Sequence, residues 1–161
     1  MVFAAWVLFA VLLTILFSQQ LQRQRNPNQQ IQSESLPDGY KQVVLRRNRA
    51  GHYIATGSIN GALVEFLLDT GATNVAVPER VATQLGLSRG VPLKTHTANG
   101  VITTYATTLD HVSLGDIYAT GVAASINPNM LGNQILLGMS FLKRFEIFQR
   151  GNQLTIRSAE N

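Results

Sequence analysis

One carboxylate follows an apolar strand at the point where the chain must turn. Asp69 comes directly after the largely apolar run 62–68 and precedes Thr70 and Gly71. A carboxylate is costly to bury, so Asp69 should lie at the strand's end, and Gly71 permits a sharp turn that exposes its N–H to the carboxylate. The ordinary role of such a triplet is an Asx-turn, in which the Asp side chain holds its own backbone. The other role is acid–base catalysis.

Hydrolysis of a peptide bond by carboxylates alone requires two of them. One acts as a base on a water molecule while the other protonates the leaving group, and two neighbouring carboxylates that share one proton can do both; aspartic proteases are themselves the usual example. The Asp-Thr-Gly triplet occurs once in this chain. Five other carboxylates are poor candidates for the second catalytic group because of where they lie in the sequence. Asp38 is in the tether, Glu65 is within a strand, Asp110 and Asp116 are in hairpins, and Glu146 follows a helix. A two-fold homodimer in which Asp69 meets Asp69 is therefore the economical arrangement.

Four segments follow one another in an informative order. They are Phe66–Pro78 with the Asp-Thr-Gly triplet, the helix-like Pro78–Leu87, Thr97–Val101, and the apolar-apolar-Gly segment Ile135–Arg144. Together they resemble the retropepsin-like (retroviral-type) aspartic proteases, in particular their bacterial membrane-anchored branch. The resemblance covers roughly residues 51–157.

The resemblance implies a fold, an activity and a set of site residues. The fold would be all-β: a closed retropepsin-like barrel, one lobe per chain, with one or two short helices. The activity would be that of an aspartic endopeptidase with Asp69 as the catalytic residue of each subunit in a homodimer. Thr70 would brace the two turns across the axis, and Gly71 and Ala72 would support the active site. A protein or peptide substrate would bind extended, as an added strand.

Two Asn-Gly pairs predict tight hairpins, at Asn60-Gly61 and Asn99-Gly100. The flanks of the second pair are mainly polar and small, so this hairpin cannot be deeply buried on both faces. It is either a flap that projects over the site or a solvent-facing hairpin of the barrel; its place after the Asp-Thr-Gly turn favours the flap. The residues assigned to the flap and to substrate binding are Ala98, Asn99, Gly100 and Val101.

The remaining predicted elements fit a small β-barrel. Pro78 opens a helix and Gly86 closes it, and a second short helix covers 140–144. The other strand-like segments are 51–59, 62–68, 73–77, 111–114, 117–126, 135–137, 145–148 and 153–157.

The N-terminal segment has a different composition from the rest. Val2–Phe17 is apolar except for Thr14, and as a helix its sixteen residues would span about 24 Å. A cleaved signal peptide is the competing interpretation, but a basic n-region and an Ala-x-Ala-like site are missing; a buried core helix is the third. We expect a transmembrane anchor at 1–18, a flexible tether at 19–39 and a protease domain at 40–161.

Orientation in the membrane receives opposing signals. Arg23 and Arg25 follow the apolar helix, and the positive-inside rule then favours a cytoplasmic domain. The resemblance favours the periplasmic side. We expect a single-pass protein of the bacterial inner membrane with a periplasmic protease domain, and the cytoplasmic alternative stays open.

Composition excludes several other classes. The 161 residues contain no cysteine, so thiol chemistry and thiolate metal sites are excluded, and the three histidines lack metal-ligand spacing. We expect no metal and no cofactor. The net charge is +4, and the basic cluster 46–49 lacks interleaved aromatic residues, so we expect no nucleic acid partner. Ser140 lacks a nucleophile-elbow pattern. The rival function is a non-catalytic peptide-binding module of the same fold.

Overall fold

Short strands joined by tight turns make up most of the chain after its first helix. A computed structural model describes residues 2–37, 39–97 and 100–158, which form three helices and eleven strands. In chain order the elements are α1 (Val2–Arg25), β1 (Ser33–Ser35), β2 (Lys41–Arg46), β3 (Ile54–Ile59), β4 (Ala62–Leu68), β5 (Val75–Pro78), α2 (Glu79–Gln84), β6 (Pro92–Thr97), β7 (Gly100–Leu114), β8 (Ile117–Asn127), β9 (Ile135–Leu137), α3 (Met139–Leu142), β10 (Phe145–Arg150) and β11 (Gln153–Ser158).

Six strands close into a ring in the order β3-β4-β9-β5-β8-β7. The ring closes because β7 pairs back onto β3, with Ser58 opposite Ser113 and Ile59 opposite Val112. Two of the pairings are parallel, β4 with β9 and β5 with β8. The predicted all-β barrel with few helices is therefore confirmed. Strand β6 lies outside the ring and pairs with the first part of β7, so that these two strands project as a hairpin.

The interior of the ring is filled by side chains that alternate inward along the strands. Phe66 on β4 and Phe141 on α3 are the largest fully buried side chains. They pack in one apolar cluster with Val75, Val77, Leu109, Val112, Ile126, Ile135 and Leu137. This core lies directly beneath the end of β4, where the Asp-Thr-Gly turn begins.

A second, four-stranded antiparallel sheet has the order β1-β2-β11-β10. Val43 and Leu45 on β2 and Leu154 and Ile156 on β11 are buried and belong to the same apolar cluster as the barrel interior. The two sheets therefore share one core, to which the last hairpin of the chain contributes Leu154 and Ile156.

Helix α1 is long and exposed. Its segment Trp6–Arg25, 20 residues with a mean hydropathy of 1.2, is long and apolar enough to cross a membrane, and none of it is buried against the rest of the chain. Leu8 and Phe17 on this helix are 72% and 67% exposed. The helix continues past residue 18 to Arg25, further than the apolar run alone predicted.

The segment after α1 differs from the flexible tether that we expected. Asn26 and Asn28 are buried, and the Asn28 Nδ2 group donates to the carbonyls of Arg46 at 2.9 Å and Ile54 at 2.7 Å. The Asn28 Oδ1 atom accepts from the Arg46 N–H at 2.7 Å, and the Asn28 carbonyl accepts from the Thr56 N–H at 3.1 Å. Residues 26–28 therefore form an ordered joint between the helix and the barrel.

Further contacts extend this joint in both directions along the chain. Arg25 forms an ion pair with Glu65 on β4 at 3.3 Å, and its carbonyl accepts from Asn48 Nδ2 at 2.9 Å. Strand β1 then pairs with β2, from Ser33 opposite Val43 onward. The polar composition that suggested flexibility instead supplies the hydrogen bonds that order the segment.

The connection between β9 and α3 supports the loop that follows Asp69. The N–H of Met139 donates to the Ala72 carbonyl at 2.8 Å, and the N–H of Ser140 donates to the Thr73 carbonyl at 2.9 Å. A Cβ atom at the buried Gly138 would clash with the Asn74 carbonyl and lie 2.6 Å from the Ala72 carbonyl oxygen. Glycine at 138 thus allows this close approach.

We predict that Asn28→Ala lowers the free energy of unfolding by about 2–3 kcal/mol, because one buried backbone group of Ile54 and two partly buried groups of Arg46 lose their partners. The measurement is thermal unfolding of the full chain in detergent micelles, followed by the β-sheet signal in circular dichroism. Gln29→Ala is the matched control, since Gln29 is exposed. Equal melting temperatures for the two variants would show that the hydrogen bonds of Asn28 do not stabilise the folded protein.

We predict that Gly138→Ala destabilises the protein by about 1–3 kcal/mol, because the added methyl group must displace the 72–74 backbone. Thermal unfolding measures the loss, and amide chemical shifts locate it. Shifts confined to α3, with 72–74 unchanged, would contradict the predicted displacement.

Candidate active site

The Asp-Thr-Gly turn begins directly after the hydrogen bonds that join the end of β4 to the chain segments on either side of it. The Leu68 N–H donates to the Tyr53 carbonyl at 3.0 Å, on the β3 side. The Asp69 N–H donates to the Leu137 carbonyl at 3.1 Å, on the β9 side. Because both neighbours fix the backbone up to residue 69, the carboxylate has a defined position at the edge of the barrel.

The Asp69 carboxylate uses one of its two oxygens locally. Its Oδ1 atom accepts from the Gly71 N–H at 2.9 Å, and the Ala72 N–H donates to the Asp69 carbonyl at 3.2 Å. The Oδ2 atom has no hydrogen bond to any residue in 2–37, 39–97 or 100–158. The Asx-turn of the ordinary interpretation is thus formed, yet one oxygen of a half-buried carboxylate stays available to a ligand or a partner.

The residues beside Asp69 differ in exposure. Thr70 and Gly71 are exposed, whereas Ala72 is half-buried and accepts a backbone hydrogen bond from α3. A Cβ atom at Gly71 would lie only 3.2 Å from Asp69 Oδ1, so a larger residue there would press on the carboxylate. The Thr70 hydroxyl makes no hydrogen bond within the described part of the chain.

Ser140 has a structural role that its sequence context did not indicate. Its hydroxyl is buried, accepts from the Val75 N–H at 3.0 Å and donates to the Ala123 carbonyl at 2.7 Å. It therefore joins α3 to β5 and β8 directly behind the turn. The sequence shows only a Ser at the start of a short helix that follows an apolar strand and a Gly. Its two hydrogen-bond partners are 17 and 65 residues away in sequence, so the local pattern could not predict this role.

The β6–β7 hairpin has two different faces. Thr95 and Thr104 share one face, where their hydroxyls lie 2.7 Å apart and Thr104 is buried. By register, Lys94 and His96 lie on the opposite face with Val101. Val101 and Tyr105 lie on one face of β7, and Tyr105 pairs with the buried Ile126 and packs against the core. The face that carries His96 is therefore the one that continues toward the barrel interior.

The residues assigned to the flap are only partly described. Ala98 and Asn99 lie outside the described residues. Gly100 opens β7, and its carbonyl accepts from the Thr97 hydroxyl at 2.9 Å. Val101 follows with 56% of its surface exposed. The described part of the hairpin therefore has an exposed apolar residue, Val101, close to Ala98 and Asn99 in sequence.

Two other carboxylates of the described chain are engaged in their own contacts. Glu65 binds Arg25 and accepts from Gln134 Nε2 at 2.9 Å. Glu79 forms an ion pair with Arg89, and this hydrogen-bonded contact raises the pKa of the Arg89 guanidinium. Among residues 2–37, 39–97 and 100–158, no group of three or more His, Cys, Asp or Glu side chains could hold a metal ion.

Comparison with known proteins agrees with this geometry. The model of the family described as gag-polyprotein putative aspartyl protease matches residues 55–144, more than half of the chain. A solved structure, the retropepsin-like aspartic protease from Rickettsia conorii, is similar with a TM-score of 0.64 and 25% sequence identity, covering 80% of this chain and 96% of that chain.

Two curated relatives are similar in sequence and are uncharacterized. The protein in the cobV 5′ region of Sinorhizobium sp. is 32% identical over 124 residues, 74% of this chain and 53% of the relative. Protein RP867 of Rickettsia prowazekii (strain Madrid E) is 30% identical over 120 residues, 71% of this chain and 50% of the relative. The chain thus spans about half the length of the curated relatives it matches.

The matched range 55–144 contains the strand that leads to Asp69, the turn itself, the β6–β7 hairpin and the β9–α3 connection. The predicted retropepsin-like resemblance is therefore confirmed at the level of family and fold. The chain belongs to the gag-polyprotein putative aspartyl protease family and has a retropepsin-like fold.

Proposed function

We propose that this protein is a membrane-anchored aspartic endopeptidase that acts as a homodimer, with Asp69 of each subunit forming the catalytic pair. The observation that carries the proposal is the state of the Asp69 carboxylate. One oxygen is held by the Gly71 N–H at 2.9 Å, and the other has no hydrogen bond within the described chain. Such a group has a fixed orientation and a free oxygen for water or substrate.

Catalysis by this pair needs no group beyond the two carboxylates and a water molecule. The pair shares one proton, because two like charges a few ångströms apart cannot both ionise favourably. The ionised Asp69 takes a proton from the water, which attacks the peptide carbonyl, and the protonated Asp69 gives its proton to the leaving nitrogen. Gly71 orients each carboxylate through its N–H.

Homodimerisation is supported because the chain contains a single Asp-Thr-Gly triplet, whereas the proposed mechanism needs two aspartates. Glu65 and Glu79 are already paired with Arg25 and Arg89. Thr70 is exposed next to Asp69, and its hydroxyl has no hydrogen bond within the described chain, as suits a contact with a second copy. A partner subunit with the same turn would supply both the second carboxylate and the partner for Thr70.

The substrate proposed for this site is an extended protein or peptide segment. The β6–β7 hairpin projects from the ring and carries Gly100 and Val101 near its end, beside Ala98 and Asn99 of the assigned flap. A peptide held beneath it would pair as an added strand, with alternate side chains entering pockets on either side.

The exposed apolar surface of α1 supports a membrane anchor. We propose an anchor at 1–18, a connection at 19–39 and a protease domain at 40–161, with Asn26 and Asn28 joining the start of the connection to the barrel. The domain would lie on the periplasmic side of a bacterial inner membrane.

We predict that Asp69→Asn abolishes cleavage of a denatured protein substrate, with a loss on the order of 10³-fold or more, and leaves the fold intact. Asparagine keeps an oxygen that accepts from the Gly71 N–H but cannot accept a proton from water. Asp116→Asn, at an exposed turn, is the control and should retain full activity. Cleavage by Asp69→Asn at the wild-type rate would favour a peptide-binding module over an enzyme.

Mixed dimers test whether both subunits contribute an aspartate. We predict that equal co-expression of wild-type and Asp69→Asn chains gives about a quarter of the wild-type activity at the same total protein, since random pairing makes a quarter of the dimers fully wild-type. Differently tagged subunits and native mass spectrometry measure the pairing. Half of the activity would indicate that each chain acts alone.

A further inference from the structure

The carboxylate of Glu65, on β4, binds side chains from two distant parts of the chain. Its Oε1 atom accepts from Gln134 Nε2 at 2.9 Å and forms the ion pair with Arg25 at 3.3 Å. Its Oε2 atom accepts from Asn26 Nδ2 at 3.4 Å. The Glu65 side chain is 28% exposed, so these donors replace much of the water that a carboxylate normally binds. Glu65 therefore joins the end of α1 and the approach to β9 to a single strand.

The contact with Gln134 lies at the beginning of the pairing between β4 and β9. Gln134 directly precedes Ile135, the first residue of β9. The two strands are parallel, and Ile135 lies opposite Phe66, so Gln134 and Glu65 occupy the preceding positions of the same register. Their side-chain hydrogen bond extends the contact between the two strands by one residue.

Strand β9 is short, and few backbone pairings hold it within the described chain. All three of its residues pair with β4, and one of them also pairs with β5. Its last residue, Leu137, provides the carbonyl that accepts from the Asp69 N–H at 3.1 Å. The contact between Glu65 and Gln134 thus lies at one end of this ladder and Asp69 at the other. A shift of β9 at its beginning is carried to the carbonyl that fixes the start of the turn.

Glu65 and Asp69 lie on the same face of β4. Side chains alternate along a strand, so residues 65, 67 and 69 point to one side, whereas the buried Phe66 points to the other. The four-residue separation corresponds to about 13 Å along the strand. The face of β4 that ends in the Asp69 carboxylate therefore also receives the end of α1.

Helix α1 reaches Glu65 through its last residue and the residue after it. Arg25 ends the helix, and Asn26 Nδ2 also donates at 3.2 Å to the hydroxyl of Thr56, which lies opposite Glu65 on β3. The Oε1 atom of Glu65 is shared between Arg25 and Gln134. A displacement of the helix end therefore acts on the same atom that holds the approach to β9.

We propose that Glu65 is a positioning residue for the Asp69 carboxylate and the point at which the N-terminal helix is coupled to the active site. Glu65 acts through β9, because its contact with Gln134 determines where the Leu137 carbonyl receives the Asp69 N–H. The proposal rests on the proposed function, since it takes Asp69 as the catalytic residue. It adds that the helix supports the geometry of the site, beyond its proposed role as an anchor.

Amide hydrogen exchange of the full chain in detergent micelles tests the positioning without any cleavage. We expect Glu65→Ala and Gln134→Glu each to raise exchange at the Asp69 N–H about ten-fold relative to core amides of β8, the size of a hydrogen bond to a charged group. Gln134→Glu sets two carboxylates against each other, and adding Glu65→Gln restores one amide and one carboxylate. This double variant should therefore recover the wild-type protection. Leu63→Ala, at an exposed position on the same face of β4, is the matched control and should change nothing.

Two arginine variants test the coupling to the helix. Arg25→Gln and Arg23→Gln each remove one positive charge from the last turn of α1, but of these two arginines it is Arg25 that pairs with Glu65 in the described chain. Because Arg25 is 63% exposed, we expect Arg25→Gln to raise exchange at the Asp69 N–H by a smaller factor, about two- to five-fold. Arg23→Gln should leave it unchanged. Equal exchange in the two variants would overturn the coupling.

Cleavage kinetics separate this proposal from the proposed function. In active protein we expect Glu65→Ala to lower kcat about ten- to a hundred-fold with little change in KM, because a displaced carboxylate impairs the reaction more than it impairs peptide binding. The double variant Glu65→Gln with Gln134→Glu should restore kcat. Unchanged exchange at the Asp69 N–H in Glu65→Ala and Gln134→Glu, or no recovery in the double variant, would overturn the positioning role even if the wild type cleaves peptides. A wild type without cleavage would instead contradict the proposed function, and the exchange data would still decide whether Glu65 holds the turn.

Discussion

The hydrogen bond from the Asp69 N–H to the Leu137 carbonyl is the contact on which the rest of the site depends. It joins the end of β4 to the parallel strand β9, two segments that lie almost seventy residues apart in sequence. Gly138 follows at once and lets the chain pass against the carbonyls of 72 and 74. This backbone contact thus fixes the start of the turn, from which the Gly71 N–H orients the carboxylate and α3 holds the loop behind it.

Local chemistry in the sequence was sufficient to predict part of this arrangement. The Asn60-Gly61 hairpin, the strand before Asp69 and the helix after Pro78 all depend on neighbouring residues, and each lies where the pattern placed it. The prediction of a flexible tether at 19–39 was based on composition alone. Asn28 is ordered by carbonyls 18 and 26 residues further along the chain, and a polar composition alone cannot distinguish solvated amides from buried ones.

Longer-range pairing also explains what else the sequence did not predict. The sequence predicted 111–114 as a separate strand, but β7 is one strand from Gly100 to Leu114 that pairs with β6, β8 and β3. Strand β6 pairs with it only as far as Tyr105 and β3 only at Val112 and Ser113, so two distant segments share one edge of β7. The buried role of Ser140 depends in the same way on strands that only the assembled barrel brings together.

The joint at Asn26 and Asn28 also bears on the order in which the molecule is made. These two residues are synthesised well before Arg46, Ile54, Thr56 and Glu65, whose groups they bind. The helix must therefore leave the ribosome with its joint open, and the joint can close only after β3 and β4 have emerged. Helix α1 therefore emerges as an independent segment and is joined to the barrel later, when the barrel supplies the missing donors and acceptors.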